Sequence, residues 1–337
     1  MVSRIPRSAL YVLVIVGAVL LQKIYTSFGR PQSTNNQQQS SVDMSIKNVA
    51  VIGGSGNLGP AVVKALVDSG FTVTVLTRLE SKATFPSEVK VQRTDYDSAS
   101  SLAEALAGQD AVVSTIATVA LGQQQKIIEA AIKAGVKRFI PSEFGLNTQK
   151  VTGGAAKILS AKLAAQEQLK KAAAENPNFS WTGISTSLFF DWGLKVGSLG
   201  FSIKDKTATI YDSGNEPFTG TNLSTIGLAV AAVLKNPDTT ANRYIDVASF
   251  VTTQNAILEV FQEETGTKWT VVNKNTSDSL KIADEKLAKG DYSAFGDYLK
   301  VELFRDGKGT SAKREDLANE ELGVPFGDLK ATVKAVL

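Results

Sequence analysis

The stretch VAVIGGSGNLG, from Val49 to Gly59, determines the fold class of this chain. Its apolar run ends at Ile52 and is followed at once by a cluster of glycines. The next segment, PAVVKALV at residues 60–67, has the apolar spacing of a helix. A strand, a tight glycine turn and a helix form the context in which such a motif binds a dinucleotide.

Each glycine of this motif has a separate expected role. Gly53 allows the tight turn, Gly56 lets the backbone approach a pyrophosphate, and Gly59 lets the helix pack closely on the strand. The helix N-terminus then presents free N–H groups to the phosphates. The spacing is G-x-x-G-x-x-G rather than G-x-G-x-x-G, and the alternative interpretation is a purely structural turn. The residues predicted to bind the cofactor are Gly53, Ser55, Gly56, Asn57, Leu58 and Gly59.

The residue after the second predicted strand indicates which dinucleotide is bound. That strand, TVTVLT at residues 72–77, is followed by Arg78, with Lys82 close behind. A site for NAD usually has an acidic residue here, which binds the ribose 2′-hydroxyl. The nearest acid, Glu80, lies past the strand end, whereas a guanidinium matches the charge and geometry of a 2′-phosphate. We therefore predict NADPH as the cofactor; the alternative is that Arg78 is only a solvated cation.

Composition excludes several classes of chemistry. The 337-residue chain contains neither histidine nor cysteine, so a Ser-His-Asp triad, a thiolate nucleophile and His- or Cys-ligated metal sites are impossible. Acid–base chemistry must use Lys, Tyr, a carboxylate or a substrate group, and no metal site is expected. The net charge is +3 without a dominant basic run, so nucleic-acid binding is not predicted.

Residues 1–43 differ from the rest of the chain. Residues 9–21 form an uninterrupted apolar run, and RPQSTNNQQQSS, from Arg30 to Ser41, reads as a polar linker that should be disordered. The run is short for a membrane span. Three interpretations remain open: a membrane anchor, a cleaved signal peptide, or an artefactual extension upstream of a start at Met44. We expect a cytoplasmic catalytic domain, with anchoring to a membrane through residues 9–21 as the alternative.

Strand-like and helix-like segments alternate through residues 44–188. The predicted strands cover residues 49–52, 72–77, 89–92, 111–116, 136–140 and 180–187, and a long helix is predicted from Lys157 to Ala174. This spacing predicts an α/β fold with a doubly wound parallel Rossmann sheet. Such sheets bind ligands beyond the carboxyl ends of their strands, which adds Thr115 to the predicted cofactor site. Residues 189–337 are less regular and predict a smaller α/β substrate lobe, interleaved with the end of the sheet.

Candidate catalytic groups lie on the long predicted helix. No tyrosine after Met44 has a lysine four residues on, so the Tyr-x-x-x-Lys pair of ordinary short-chain dehydrogenases is missing. Lys157 and Lys162 lie on this helix, about 140° apart around it, so they do not share a face. A buried lysine has a pKa closer to neutrality and can transfer protons. Phe144, Phe189 and Phe190, together with Trp192, are predicted to line an apolar substrate pocket; the alternative is that this aromatic cluster packs in the core.

Several motifs together resemble the NmrA-like, isoflavone-reductase-like group of atypical short-chain reductases, especially its fungal members. These motifs are VAVIGGSGNLG with Arg78 after the second strand, DYDSASSLAEALAGQDAVVSTIA, KRFIPSEFG and NRYIDVASFVTTQNAILEVFQEETGTKW. The resemblance extends from about Met44 to the C-terminus. The short LNTQKVTGG segment replaces a longer loop of the plant enzymes, so their particular substrates are not carried over.

The resemblance implies an NADPH-dependent reductase of a small aromatic or phenylpropanoid-type compound. A helix lysine of the family acts as the general acid or base and contacts the nicotinamide ribose. The helix register, with apolar Leu169 seven residues further on, assigns that role to Lys162, and Lys157 is the second choice. The family also includes regulators that bind NADP(H) without turnover, so a dinucleotide sensor is the alternative function.

Overall fold

A seven-stranded parallel sheet forms the centre of this computed structural model, which describes residues 45–337. In chain order, the first part contains β1 (Asn48–Ile52), α1 (Gly59–Asp68), β2 (Thr72–Arg78), β3 (Lys90–Thr94), α2 (Ala99–Ala105), β4 (Ala111–Ser114), α3 (Gln124–Lys133), β5 (Arg138–Ile140), α4 (Gly153–Ile158), α5 (Ser160–Glu175) and β6 (Ser180–Ser185). The predictions for residues 1–43 lie outside the described residues. Within 45–337, no helix combines the length and apolar character needed to cross a membrane.

The remaining elements follow β6. They are β7 (Leu188–Phe189), α6 (Phe190–Lys195), β8 (Phe201–Ser202), β9 (Thr207–Tyr211), β10 (Phe218–Thr221), α7 (Leu223–Lys235), β11 (Arg243–Asp246), β12 (Phe250–Thr252), α8 (Gln254–Thr265), β13 (Thr270–Lys274), α9 (Thr276–Ala288), α10 (Ala294–Phe304), α11 (Asn319–Leu322) and α12 (Leu329–Val336). Two three-stranded sheets, in the orders β12-β10-β7 and β13-β9-β8, accompany the large one.

The strand order of the large sheet is β11-β6-β5-β4-β1-β2-β3, with every neighbouring pair parallel. Helices α1 and α7 cover one face and α2, α3 and α5 cover the other, each over its own apolar core. The predicted doubly wound fold is therefore confirmed. The chain leaves β1 and β4 in opposite directions, and a crevice opens between their carboxyl ends, as in other sheets of this class.

The two predicted lobes, divided near residue 188, stay a prediction. The large sheet takes its last strand, β11, and the face helix α7 from the second part of the chain. A separate apolar core, which includes Phe201, Phe218 and Phe261, lies among the smaller sheets and the C-terminal helices. Capping residues fix both ends of α8. Thr253 accepts a hydrogen bond from the Ala256 N–H at its start, and Gly266 ends it in the left-handed conformation.

The prediction of one helix from Lys157 to Ala174 is wrong. Two helices, α4 and α5, meet at Leu159, where the backbone leaves helical geometry. Ile158 on α4 packs into the core of the smaller sheets, whereas Leu169 on α5 packs against the large sheet. The break lets the two segments bury their apolar faces in different cores, which a single straight helix does not do.

The sixth predicted strand is also shorter than expected. It ends at Ser185, and Ser187 has a positive φ of 52° that turns the chain away from the large sheet. Leu188 and Phe189 then pair with β10 in a different sheet. This turn carries the chain from the nucleotide-binding sheet to the elements on the opposite side of the crevice.

Candidate active site

The glycine loop between β1 and α1 is folded tightly against the end of β4. Gly53 has φ +84°, and a Cβ built there would lie 2.8 Å from the carbonyl carbon of Thr115. The Gly56 N–H donates to the Gly53 carbonyl at 2.9 Å and closes the turn. A Cβ on Gly59 would overlap the Gly53 carbonyl, so helix α1 approaches the strand as closely as the motif predicts.

The segment that enters α1 has no side-chain cap, and within the first turn Pro60 lacks an N–H while the Ala61 and Val62 N–H groups already donate to the Leu58 carbonyl. Ser55, Gly56 and Asn57 are exposed, while Leu58 is buried beneath them. The positive end of the helix dipole makes this a site suited to an anion such as a pyrophosphate.

Thr115 lies directly opposite the glycine loop. Its backbone N–H and its hydroxyl both donate to the Ile52 carbonyl, at 2.8 and 2.9 Å. These bonds join the carboxyl ends of β4 and β1 at the crevice. Thr115 therefore lines the predicted cofactor site, and its side chain is already used to position the loop.

Arg78 lies near the glycine loop, at the same end of the crevice. It ends β2, its side chain is 74% exposed, and its Nε lies 3.4 Å from Glu80 Oε1. Tyr96, which follows β3, also lines this end, and its hydroxyl donates to the Leu76 carbonyl at 2.9 Å. The guanidinium is therefore accessible to a ligand, with only an exposed carboxylate competing for it.

The two candidate lysines occupy different environments. Lys157 on α4 is exposed and lies outside the crevice, whereas Lys162 on α5 is only 5% exposed and lines it. Burial lowers the pKa of Lys162 from its ordinary value, and the nearby carboxylate of Glu143 partly opposes this shift. Of the two candidate lysines, Lys162 is therefore the one that lines the crevice.

The PSEFG segment, residues 141–145, forms the floor beside Lys162. The Ser142 N–H donates to Gln124 Oε1 at 2.7 Å, and its hydroxyl donates to the Ile116 carbonyl at 2.8 Å. These bonds hold the segment after β5 against the end of β4. Glu143 is fully buried there, and Phe144 turns its ring towards the crevice.

The far end of the crevice is apolar. Four rings, which we call the aromatic wall, line it: Phe144, Phe189, Trp192 and Phe295. Leu146, Leu188 and Leu299 lie among them. Phe190 lies outside the cavity lining: it is fully buried and packs edge-on against Phe250, with the ring centroids 4.5 Å apart.

Two features of this end had no clear sequence signal. Phe295 and Leu299 come from α10, more than one hundred residues after the PSEFG segment, and only the tertiary fold brings them to the cavity. Ser187 lines the cavity with a buried hydroxyl that has no hydrogen-bond partner within residues 45–337. The positive φ of Ser187 is visible only in the structure, and strained backbone at non-glycine residues is concentrated at functional sites.

All these parts belong to one cavity of about 730 Å³. It runs from the glycine loop and Arg78, past Thr115 and Lys162, to the aromatic wall. This volume lies in the range typical of small-molecule and cofactor sites. The arrangement can hold a dinucleotide along the strand ends and an apolar molecule beyond it, with a buried amine near the junction.

Comparison with known proteins gives the class of the chain. The model of the NmrA-like family matches residues 45–296. Oxidoreductase poxI of Penicillium oxalicum is 41% identical over 238 residues, which are 70% of this chain and 76% of that protein. Oxidoreductase aprR of Aspergillus flavus is 36% identical over 299 residues, which cover 87% of this chain and 99% of that protein.

The chain therefore belongs to the NmrA-like family, and the prediction of an oxidoreductase is confirmed. A solved structure, AtPrR2 with NADP⁺ and (+)pinoresinol, has the same fold, with a TM-score of 0.71 and 20% identity. The match covers 87% of this chain and 99% of that one.

Proposed function

We propose that this oxidoreductase uses NADPH to reduce a small aromatic substrate with an enone, quinone or carbonyl-like group, and that Lys162 donates the proton. The observation that carries the proposal is the single cavity that joins the glycine loop, Arg78, Lys162 and the aromatic wall. A cofactor site and an apolar pocket with a buried amine between them are the parts that such a reduction requires.

The residues at the loop end of the cavity fit a phosphorylated dinucleotide. The uncapped first turn of α1 and the loop Gly53–Gly59 would hold the pyrophosphate, because the absence of a Cβ at Gly56 lets a phosphate approach the backbone. Arg78 would bind the 2′-phosphate through its exposed guanidinium. A structure of the same fold holds NADP⁺, which supports this assignment.

The chemistry of the proposed reaction needs one hydride and one proton. NADPH, when bound, supplies the hydride from its nicotinamide ring. The Lys162 ammonium donates its proton to the oxygen that gains negative charge when the acceptor is reduced, and the resulting amine recovers a proton from water. A general acid of this kind contributes about 10²- to 10⁴-fold to the rate.

The aromatic wall favours a flat apolar substrate. Phe144 lines the cavity from the segment after β5, Phe189 lines it from β7, and Trp192 and Phe295 line it from α6 and α10. Aromatic pairs gain about 0.5–1.5 kcal/mol beyond the burial of their area. We therefore expect aromatic acceptors to bind better than aliphatic acceptors that carry the same reactive group.

The test is NADPH consumption by the full chain with a panel of aromatic enones, quinones and ketones. Each aromatic acceptor is paired with an aliphatic acceptor that has the same reactive group. We expect turnover with at least one aromatic acceptor and a lower KM for it than for its aliphatic partner. Cofactor binding is measured separately, from the fluorescence change on titration with NADPH, NADP⁺ and NADH.

The same experiment separates the reductase from a dinucleotide sensor. Tight NADPH binding without consumption by any acceptor would overturn the proposed reduction and favour a sensor. Comparable affinity for NADH and NADPH would overturn the assignment of the cofactor but leave the reductase chemistry standing.

A further inference from the structure

Lys162 must carry a positive charge in a buried site if it is the proton donor of the proposed reaction. Its side chain is buried in the cavity, and an unpaired ammonium in such a place is strongly disfavoured. A proton donor must nevertheless hold its proton until the reaction requires it. A group that stabilises its charged form must therefore lie on the elements around Lys162.

One oxygen of the fully buried Glu143 carboxylate accepts two hydrogen bonds. Thr148 Oγ1 and Tyr244 Oη both donate to Glu143 Oε2, at 2.7 and 2.9 Å. Gln166 Nε2 donates in turn to Thr148 Oγ1 at 2.6 Å. The hydroxyl proton of Thr148 is assigned to Glu143, because a carboxylate can only accept and its oxygen is nearer, at 2.7 Å, than the Tyr244 hydroxyl, at 3.2 Å.

The tyrosine is also arranged as a donor. The Thr148 N–H donates to Tyr244 Oη at 3.4 Å, so the tyrosine proton is free to point at Glu143. Burial, and then the charge of Glu143, hold the pKa of Tyr244 well above its ordinary value, so its phenol stays protonated. Donors that converge on one carboxyl oxygen stabilise the ionised form of that carboxyl group.

The second oxygen of the same carboxylate has no such donor. Glu143 Oε1 is buried and lacks a hydrogen-bond partner within residues 45–337. Lys162 Nζ and the backbone carbonyl oxygen of Glu143 both lie close to Gly145. Each would be 3.9 Å from a Cβ atom built on that glycine. A buried carboxylate with one free oxygen, set behind the cavity wall, and a buried ammonium that lines the cavity thus lie beside the same turn.

We propose that Glu143 is the counter-ion that keeps Lys162 protonated and positioned in the cavity, and that Tyr244 and Thr148 hold this carboxylate in place. Glu143 is a positioning residue, since it does not line the cavity itself. The catalytic consequence rests on the proposed function, because it matters to turnover only if Lys162 is the proton donor.

Other charged groups on the neighbouring elements already have partners or face solvent. Asp246, beyond Tyr244 on β11, pairs with Lys150 at 3.1 Å. Tyr298 on α10 donates to Asp284 at 2.6 Å. Lys157 on α4 is exposed. Among the described residues, Glu143 is therefore the carboxylate whose negative charge raises the pKa of Lys162 against the effect of burial.

The test compares Glu143→Gln with a matched control, Glu167→Gln. Glu167 lies on α5, five residues beyond Lys162, but it is exposed and bonds to Lys170 at 2.8 Å. The readout is acylation of the Lys162 amine by a small reagent over a range of pH, followed by mass spectrometry. Only the unprotonated amine reacts, so the midpoint of the labelling curve reports its protonation without any need for turnover.

We expect the labelling midpoint to fall by about 1–3 pH units in Glu143→Gln, because loss of a nearby opposite charge disfavours the ammonium. The control should match the wild type. With an active acceptor, the alkaline limb of kcat should move to lower pH by a similar amount while KM for NADPH stays unchanged. A merely structural role for Glu143 would lower Tm without moving either curve.

An unchanged midpoint in folded Glu143→Gln would overturn the proposal. If that variant does not fold, the wild type decides, since lysines buried without a counter-ion titrate near pH 5–6. A wild-type midpoint below neutrality would then refute the counter-ion, and one above it would support it. Failure to find any NADPH turnover would count against the proposed function but not against this labelling result.

Discussion

Replacement of Arg78 by alanine tests the cofactor assignment most directly. The guanidinium ends β2 at the rim of the cavity, where the 2′-phosphate of NADPH would lie. NADH lacks that phosphate but shares every other group that the glycine loop would bind. The change should therefore weaken the binding of NADPH and leave the binding of NADH unaltered.

The exposure of Arg78 sets the size of the effect. A hydrogen bond to a charged group contributes about 1.5–3 kcal/mol, whereas exposed ion pairs contribute at most about 1 kcal/mol. The Arg78 side chain is 74% exposed, so water would screen its contact with a bound phosphate. We expect a loss of about 1–2 kcal/mol, which is about a 5- to 30-fold rise in Kd for NADPH.

The assay is fluorescence titration of wild type and Arg78→Ala with NADPH and with NADH at two salt concentrations. The difference between the proteins should shrink at high salt, because exposed charges are screened. Glu80→Gln is the matched control: it removes the carboxylate 3.4 Å from Arg78 and should tighten NADPH binding by about twofold, the scale of an exposed ion pair. Equal losses for NADPH and NADH would refute the role of Arg78.

Three further predictions concern the cavity and the stability of the fold. Lys162→Ala should lower kcat by about 10²- to 10⁴-fold, while Lys157→Ala, which changes an exposed side chain, should leave kcat unaltered in steady-state assays. Phe189→Ala should raise KM for an aromatic acceptor with little change in Tm, whereas Phe190→Ala, which empties a fully buried site, should cost about 3–5 kcal/mol in denaturant unfolding. Asp297→Asn should destabilise the protein at neutral pH, because Asp297 bonds to two lysines at 2.7 and 2.8 Å.

The pH dependence of the last prediction has a definite sign. Burial raises the pKa of Asp297, but its hydrogen bonds and ion pairs with Lys286 and Lys300 outweigh burial and hold the pKa below its ordinary value. The stabilisation is therefore complete above the unfolded-state pKa and is lost as pH falls through the lower, folded-state pKa. Unfolding curves of wild type and Asp297→Asn should converge in acid, and a constant difference would contradict this reasoning.

The other two comparisons can fail equally clearly. If Lys157→Ala and Lys162→Ala reduce kcat to the same extent, the assignment of the proton donor to Lys162 rather than Lys157 is wrong. If Phe189→Ala destabilises the protein as much as Phe190→Ala, the Phe189 ring belongs to the core rather than to the cavity.

Much of the nucleotide-binding half could be predicted because its determinants are local. A continuous apolar run predicts a strand buried on both faces, and β1 is buried as that run requires. Gly53 is needed for a turn with positive φ, and Gly59 for a close approach to Gly53 and Gly54, so both roles can be read locally even though Gly53 also packs against the distant Thr115. Lys162 was assigned through the family resemblance, since spacing alone left Lys157 equally possible.

Other features depended on contacts between distant parts of the chain. The break at Leu159 arises because α4 and α5 pack into different cores, and no helix-breaking residue marks it in the sequence. Phe189 and Phe190 are adjacent and equally apolar, yet one faces the cavity and the other packs against Phe250. Sequence spacing does not distinguish such neighbours, because the orientation of each ring is set by the elements that pack around it.

The sequence by itself determined the class of sheet, the glycine loop and the position of an arginine at the end of β2. The sheet follows from hydrophobic periodicity, the loop from glycine geometry, and both signals lie within short segments of the chain. Only the tertiary structure decided what surrounds Lys162. No short motif marks Tyr244 as part of this site. Its hydroxyl nevertheless lies 2.9 Å from Glu143 Oε2, although Glu143 comes about one hundred residues earlier in the chain. A buried charge is stabilised by whatever the folded chain places beside it, and that environment does not exist until the sheet has formed.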